Sequence, residues 1–200
     1  MPSSEAPAKP APKFLRLLNK STKYVVTGTA VGVLLWSQFD LVTCWALIGA
    51  IFNAFLCKML KTVLNQSRPA SAAEKSDPGM PSSHAQSLGY MATYPAVLLF
   101  SHSADLLPAS LGLEAAALFA SWLRIACGLH TVDQVLVGYL AGGSTALVWM
   151  WGGMQALPAI SSSPTAVACV KGAYFILSVC FAFLVFDVKK FLRRIISKTD

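Results

Sequence analysis

Long apolar runs joined by short polar links constrain this chain more than any other feature. Six stand out: Tyr24–Trp36, Leu41–Leu60, Gln86–Ser101, Gly112–Cys127, Val132–Trp151 and Thr165–Val188. A helix needs roughly 20 apolar residues to cross the hydrocarbon core of a bilayer, about 30 Å thick. Backbone polar groups find no water there, so each segment must bond internally and against its neighbours. The expectation is an all-α chain, a six-transmembrane helix bundle forming one domain over residues 24–188. Charge supports it. Only 12% of the residues are charged and the mean hydropathy is +0.58, where soluble domains average about 25% charged. The first run is short, and is expected to borrow the turn Phe14–Leu18 or to thin the lipid. Pro95 should kink the third. Internal repeats are not evident.

Basic residues give the sidedness. Lys9, Lys13, Arg16, Lys20 and Lys23 precede the first run, and residues 1–23 read as a disordered basic tail. Lys58, Lys61, Arg68 and Lys75 lie in or beside the second link, and Arg124 beside the fourth. Residues 189–200 form a basic C-terminal tail with Lys189, Lys190, Arg193, Arg194 and Lys198. The first, third and fifth links carry no Lys or Arg. This alternation places both termini and links two and four on the inner side of a multi-pass protein. Lys171 breaks the pattern and reads as a side chain snorkelling to the interface. The net charge of +7 suits an anionic lipid surface and needs no nucleic-acid partner. No apolar secretory segment precedes the first run; a short organelle-targeting stretch stays open.

Cys44, Cys57, Cys127, Cys169 and Cys180 are odd in number and irregular in spacing. They read as buried small residues, not as disulfides or metal ligands. Gly28-x-x-x-Gly32 and Gly138-x-x-x-Gly142 offer small-residue faces for helix packing. Trp36, Trp149 and Trp151 read as interfacial anchors. His102, in the third link, reads as a solvated residue without a role.

Three polar groups remain on the inner side. In KTVLNQSRP, Lys61 and Arg68 are seven residues apart, so a continuous helix would project both from one face before Pro69 stops it. They suit an anion, or else they are a stop-transfer charge pair. In SDPGMPSSH, Asp77-Pro78-Gly79 is a turn signal and Pro81 suits a first helical turn, with Ser82, Ser83 and His84 next. Free N–H groups at such a helix start bind anions; alternatively a serine merely caps the helix. In LRIACGLHTVDQ, Arg124 and His130 would lie about 240° apart on a continuous helix. They converge only if the chain breaks at Gly128. Asp133 and Gln134 are then both within reach of the imidazole. An interfacial histidine with ordinary helix-start residues is the alternative. Taken together, two histidines, three cations and a helix start on one side suit a phosphate, which arginine binds through two parallel hydrogen bonds.

These groups resemble the three-part pattern of the type 2 phosphatidic acid phosphatase (PAP2) superfamily. That pattern is Lys-x6-Arg-Pro, then Pro-Ser-Gly-His, then Ser-Arg-x5-His-x3-Asp. Lys61, Arg68 and Pro69 match the first part; Pro81, Ser82 and His84 match the second, with Ser83 in place of Gly; Arg124 and His130 match the third. Leu123 replaces the family Ser, and Gln134 takes the place of the Asp, with Asp133 one residue early. The phrases LNQSRPA, SDPGMPSSHAQS and LHTVDQVLVG look closest to the plastid-type lipid phosphate phosphatases of plants, and they also resemble dolichyl-diphosphate phosphatases.

The resemblance implies a PAP2/haloperoxidase-like core and displacement through a phosphohistidine. His130 would be the nucleophile and His84 the general acid and base. Lys61, Arg68, Arg124, Ser82 and the Ser83 N–H would hold the phosphate oxygens. Gln134 would orient His130, with Asp133 secondary. No metal or other cofactor is implied. The expected partner is a lipid phosphate within a membrane, first phosphatidate going to diacylglycerol, next a dolichyl or other polyprenyl diphosphate. An endoplasmic-reticulum or plastid membrane fits; the oligomeric state is not legible. A haloperoxidase would be soluble, against six apolar runs. A non-catalytic membrane scaffold keeping the same shell is the rival from another class.

Overall fold

The computed structural model describes residues 11–72 and 77–185. Among them are α1 (Lys13–Trp36), α2 (Leu41–Leu64), α3 (Ser83–His102), α4 (Leu107–Ala126), α5 (Val132–Ser161) and α6 (Pro164–Val185), with short 3₁₀ turns at Ala70–Ala72 and Ala104–Leu106. Among the described residues, four segments are long and apolar enough to cross a membrane: Leu41–Leu64, Ala104–Ala126, Val132–Ser161 and Pro164–Phe181. The C-terminal basic tail lies outside the described residues, as do Lys9 and Lys75. Residues 13–23, expected in the N-terminal tail, continue α1 instead. They take in the Phe14–Leu18 turn that a short first run needs to lengthen itself.

Local chemistry sets the helix starts. The Asp40 carboxylate accepts from the N–H groups of Val42 and Thr43 at 2.8 and 3.0 Å, bonding donors that a helix start leaves free. Ser82 caps α3, its Oγ accepting from Ala85 N. Pro81 therefore precedes the cap, two places before the first helical residue Ser83. Thr131 and Gln134 form a capping box at the start of α5.

The packing centre is α3 against α5, with α4 and α2 beside them. Small residues allow the approach. A Cβ on Gly138 would come within 2.7 Å of the Ser82 carbonyl, and one on Gly142 would be closer still to the Gln86 carbonyl. The Gly138-x-x-x-Gly142 face is thus a helix contact. Gly28 and Gly32 differ: a Cβ on either meets nothing within 4 Å. Asn53 and Gln86, both buried, exchange hydrogen bonds between α2 and α3. Trp149 is not an interfacial anchor. Its ring stacks on Trp45 at a centroid distance of 5.1 Å, and its Nε1 donates to Trp45 O. This ties α5 to α2, because a buried indole N–H needs an acceptor. Trp36 and Trp151 are exposed, as anchors are.

None of residues 164–181 on α6 is buried. Cys169 and Cys180 are accordingly exposed, and only Cys44 and Cys57 occupy the interior expected of all five.

Candidate active site

The link between α2 and α3 meets the link between α4 and α5 at one end of the bundle. Ser71 Oγ donates to Gly128 O at 2.6 Å, and Arg68 Nη1 donates to Leu129 O at 3.1 Å. Gly128 has φ +65°. A Cβ there would be strained and would crowd Ser71 Oγ at 2.9 Å. The break lets α4 end at Ala126 and delivers His130 just ahead of the α5 cap.

Lys61 and Arg68 do not share a helical face. Asn65, with φ +40°, ends α2 in the left-handed conformation, so the helix stops well before Pro69. Lys61 is on the last turn of α2 and Arg68 is beyond it. They meet through an acid. Asp77 Oδ2 accepts from Lys61 Nζ at 3.0 Å and from Arg68 Nη2 at 2.7 Å. Lys61 Nζ also donates to Pro78 O, and Arg68 Nε to Asp77 O at 3.1 Å. Burial alone would raise the Asp77 carboxyl, but hydrogen bonds from Arg68 and Lys61, with their charges, bring it down to about 2.

His130 is buried between two partners. Its Nδ1 lies 3.0 Å from Gln134 Oε1 and its Nε2 lies 2.9 Å from Arg68 Nη1. The roles follow from the neighbours. Gln134 Nε2 donates to Gln66 Oε1 at 3.1 Å and to Ser67 O at 2.8 Å, both acceptors. Its Oε1 therefore faces the donors Thr131 N and His130 Nδ1–H. The Nε2 lone pair is left to accept from Arg68. Gly79 permits this, because a Cβ there would fall 2.5 Å from the Gln134 amide. Burial lowers the His130 imidazole most, followed by the Arg68 charge. Gln134 opposes, Arg124 and Lys61 add to the lowering, and the value comes to about 4. His130 is neutral across the physiological range. Asp133 is exposed and bonds to nothing that competes with Gln134 for the ring.

Arg124 is near enough for its charge to act on His130, but its Nη1 donates to Asn19 Oδ1 on α1 at 3.1 Å. Ser82 is fully buried and its N–H donates to Gln134 O at 2.9 Å, joining the starts of α3 and α5. Ser83 is exposed, its Oγ 3.4 Å from Cys57 Sγ. His84 is half-buried in the first turn of α3. It lies on the wall of a cavity of about 480 Å³ between α1, α2, α3 and α6, whose lining is otherwise largely apolar. Such a volume is ordinary for a small-molecule pocket. Leu123, where the resembling pattern has Ser, is buried.

Sequence reasoning overlooked Asp77 as a partner, noting it only as a turn former. It also overlooked Gln66, Ser67 and Asn19. Asp77 carried a faint signal, being an acid beside two motif segments; the others carried none.

The PAP2 superfamily profile matches residues 42–156. Lipid phosphate phosphatase epsilon 1, chloroplastic, from Arabidopsis thaliana is 37% identical over 148 residues, 68% of this chain and 50% of that protein. Its epsilon 2 counterpart is 35% identical over 144 residues, 66% of this chain and 47% of that protein. Human dolichyldiphosphatase 1 is 31% identical over 150 residues, 68% of this chain and 62% of that protein. The chain thus spans about half the length of the two plant relatives. Among solved structures, a transmembrane PAP2-type phosphatidylglycerolphosphate phosphatase from Bacillus subtilis shares the fold. Its TM-score is 0.55 at 19% identity, over 70% of this chain and 74% of that one.

Proposed function

This chain belongs to the PAP2 superfamily, and from that premise we propose that it is an integral-membrane lipid phosphate phosphatase. It hydrolyses phosphatidate to diacylglycerol through a phosphohistidine at His130. The proposed domain takes in all six helices, with α1 and α3 crossing the membrane beside the four more apolar segments. The polar cluster faces the cytosol or stroma, in an endoplasmic-reticulum or plastid membrane.

One observation carries the reading: a buried, neutral His130 with Nδ1 held by Gln134 Oε1 at 3.0 Å and Nε2 turned toward Arg68 at 2.9 Å. A histidine nucleophile needs one nitrogen fixed as donor so that the other keeps its lone pair. Nε2 attacks phosphorus, the bond from phosphorus to the lipid oxygen breaks, and His84 protonates that oxygen. Water then attacks the phosphohistidine, His84 takes its proton, and phosphate leaves. Lys61, Arg68 and Arg124 stabilise the charge spread over the phosphoryl oxygens, with Ser82 and the Ser83 N–H as further donors. The cavity beside His84 supports a lipid substrate: a phosphate at the polar cluster leaves a hydrocarbon chain beside an apolar wall.

Gln134 takes the role of the family carboxylate without its charge. It fixes the tautomer, and the exposed Asp133 stays secondary.

The test is phosphate release from phosphatidate by the purified full chain with chelator present, beside His130→Ala. Equal rates in the two would end the enzyme reading and leave a scaffold. Turnover of a polyprenyl diphosphate but not of phosphatidate would change the substrate alone.

A further inference from the structure

Asp77 belongs to none of the three pattern segments, yet it is the acid that the structure brings to both Lys61 and Arg68. The Lys61 and Arg68 side chains are 9% and 7% exposed, whereas that of Asp77 is 53% exposed. An acid from the solvent side thus reaches onto two buried cations. Buried charges of one sign are costly without a counter-charge, and the carboxylate supplies it.

All three guanidinium nitrogens of Arg68 are engaged. Its Nε and Nη2 bond Asp77, and its Nη1 bonds Leu129 O and His130 Nε2. Two consequences follow for a phosphoryl group arriving at His130. Its oxygens compete for Lys61 Nζ and Arg68 Nη2, where Asp77 Oδ2 already takes one N–H of each. The Nε2 lone pair is covered until the guanidinium turns away. Carboxylate and phosphate oxygens are equivalent acceptors for a guanidinium fork, so one can replace the other.

We propose that Asp77 is a resident anion of the Lys61–Arg68 site, displaced by the substrate's phosphate, and that this exchange selects terminal phosphates over phosphodiesters. The proposal rests on the phosphatase reading of the site. A monoester phosphate carries a charge of about −1.5 to −2 at neutral pH, and outbids a carboxylate of charge −1 for two cations. A phosphodiester, the headgroup linkage of bulk membrane phospholipids, carries only −1 and gains nothing by the exchange. Asp77 therefore keeps the site closed to the lipids that surround it in greatest number. Displacement also frees Arg68 from His130 Nε2, so the nucleophile is uncovered as the correct headgroup binds.

The experiment titrates inorganic phosphate and dimethyl phosphate onto the purified full chain in detergent, read by phosphorus-31 line broadening. The chains compared are the unaltered protein, Asp77→Asn, Asp77→Ser and Arg68→Ala. The unaltered protein is expected to bind phosphate about tenfold or more tighter than dimethyl phosphate. Each Asp77 variant should bind both probes more tightly, dimethyl phosphate by the larger factor, narrowing the ratio about tenfold. Arg68→Ala should weaken phosphate by about tenfold or more. If Arg68→Ala weakens phosphate while neither Asp77 variant tightens either probe, the resident-anion proposal alone is overturned. If Arg68→Ala leaves phosphate binding unchanged, the site reading falls and the proposal with it. Loss of folding in both Asp77 variants, seen by thermal unfolding, would make Asp77 a structural acid and also overturn the proposal.

Discussion

The two histidines sit in opposite surroundings. His130 is buried, bonded on both ring nitrogens, and backed by a chain of partners from Gln134 to Gln66 and Ser67. His84 is half-buried on the wall of an apolar cavity. The difference suits two tasks. A nucleophile benefits from a fixed tautomer and a fixed position, since small misplacements of reacting atoms are costly in rate. A proton donor to a lipid leaving group must stand where the lipid lies, with one side toward hydrocarbon. The polar half of the site is held around His130 by hydrogen bonds, and the other half presents a largely apolar wall.

Each prediction presses on that contrast. Removing the nucleophile should matter most: His130→Ala is expected to cut phosphate release by about 1,000-fold or more. His84→Ala is expected to lower kcat by about 100- to 10,000-fold with little change in KM, read from initial rates on phosphatidate. A rise in KM alone would make His84 a wall residue.

Gln134→Ala should lower kcat/KM by about 10- to 100-fold, the loss typical when a second partner orienting a histidine is removed. Asp133→Asn should leave it within about twofold. The reverse pattern would hand the orienting role to Asp133. The acid limb of kcat/KM gives a finer reading. With His130 lowered to about 4, the neutral ring persists well below pH 6.5, so its limb should lie near 4. Gln134→Glu adds a negative charge that favours imidazolium. The limb should then move to a pH about 1 to 3 higher. A limb that stays in place would mean that another group sets it.

The smallest effect concerns the apolar half. Ala54→Phe fills part of the cavity. It should raise KM for a long-chain lipid phosphate by about tenfold while leaving a short water-soluble phosphate ester unaffected. Equal effects on both would mean that the cavity takes no chain.

How far the sequence foretold this site depends on how local each contact is. The Gly128 break was legible because a left-handed residue favours glycine. The reach of Gln134 back to His130 was expected from the four-residue spacing, but His130 precedes the α5 cap and the contact comes through the capping turn, where Gln134 Oε1 also accepts from Thr131 N. Lys61 and Arg68 were legible as a pair by motif, but their geometry was misread. The asparagine cap at Asn65 ended the helix early, and a seven-residue spacing says nothing once the helix has stopped.

Hydropathy alone determined an all-helical chain with segments suited to a bilayer, because in hydrocarbon the backbone must satisfy itself. The motif residues, in order, determined the family. Only the tertiary structure decided that Asp77 would lie on both cations, that Gln66 and Ser67 would orient the Gln134 amide, and that Asn19 on α1 would hold Arg124. The physical reason is range. The Gln66, Ser67 and Asn19 contacts join residues far apart in sequence, and the Asp77 contacts close a link whose course sequence spacing does not give; each depends on how the helices pack.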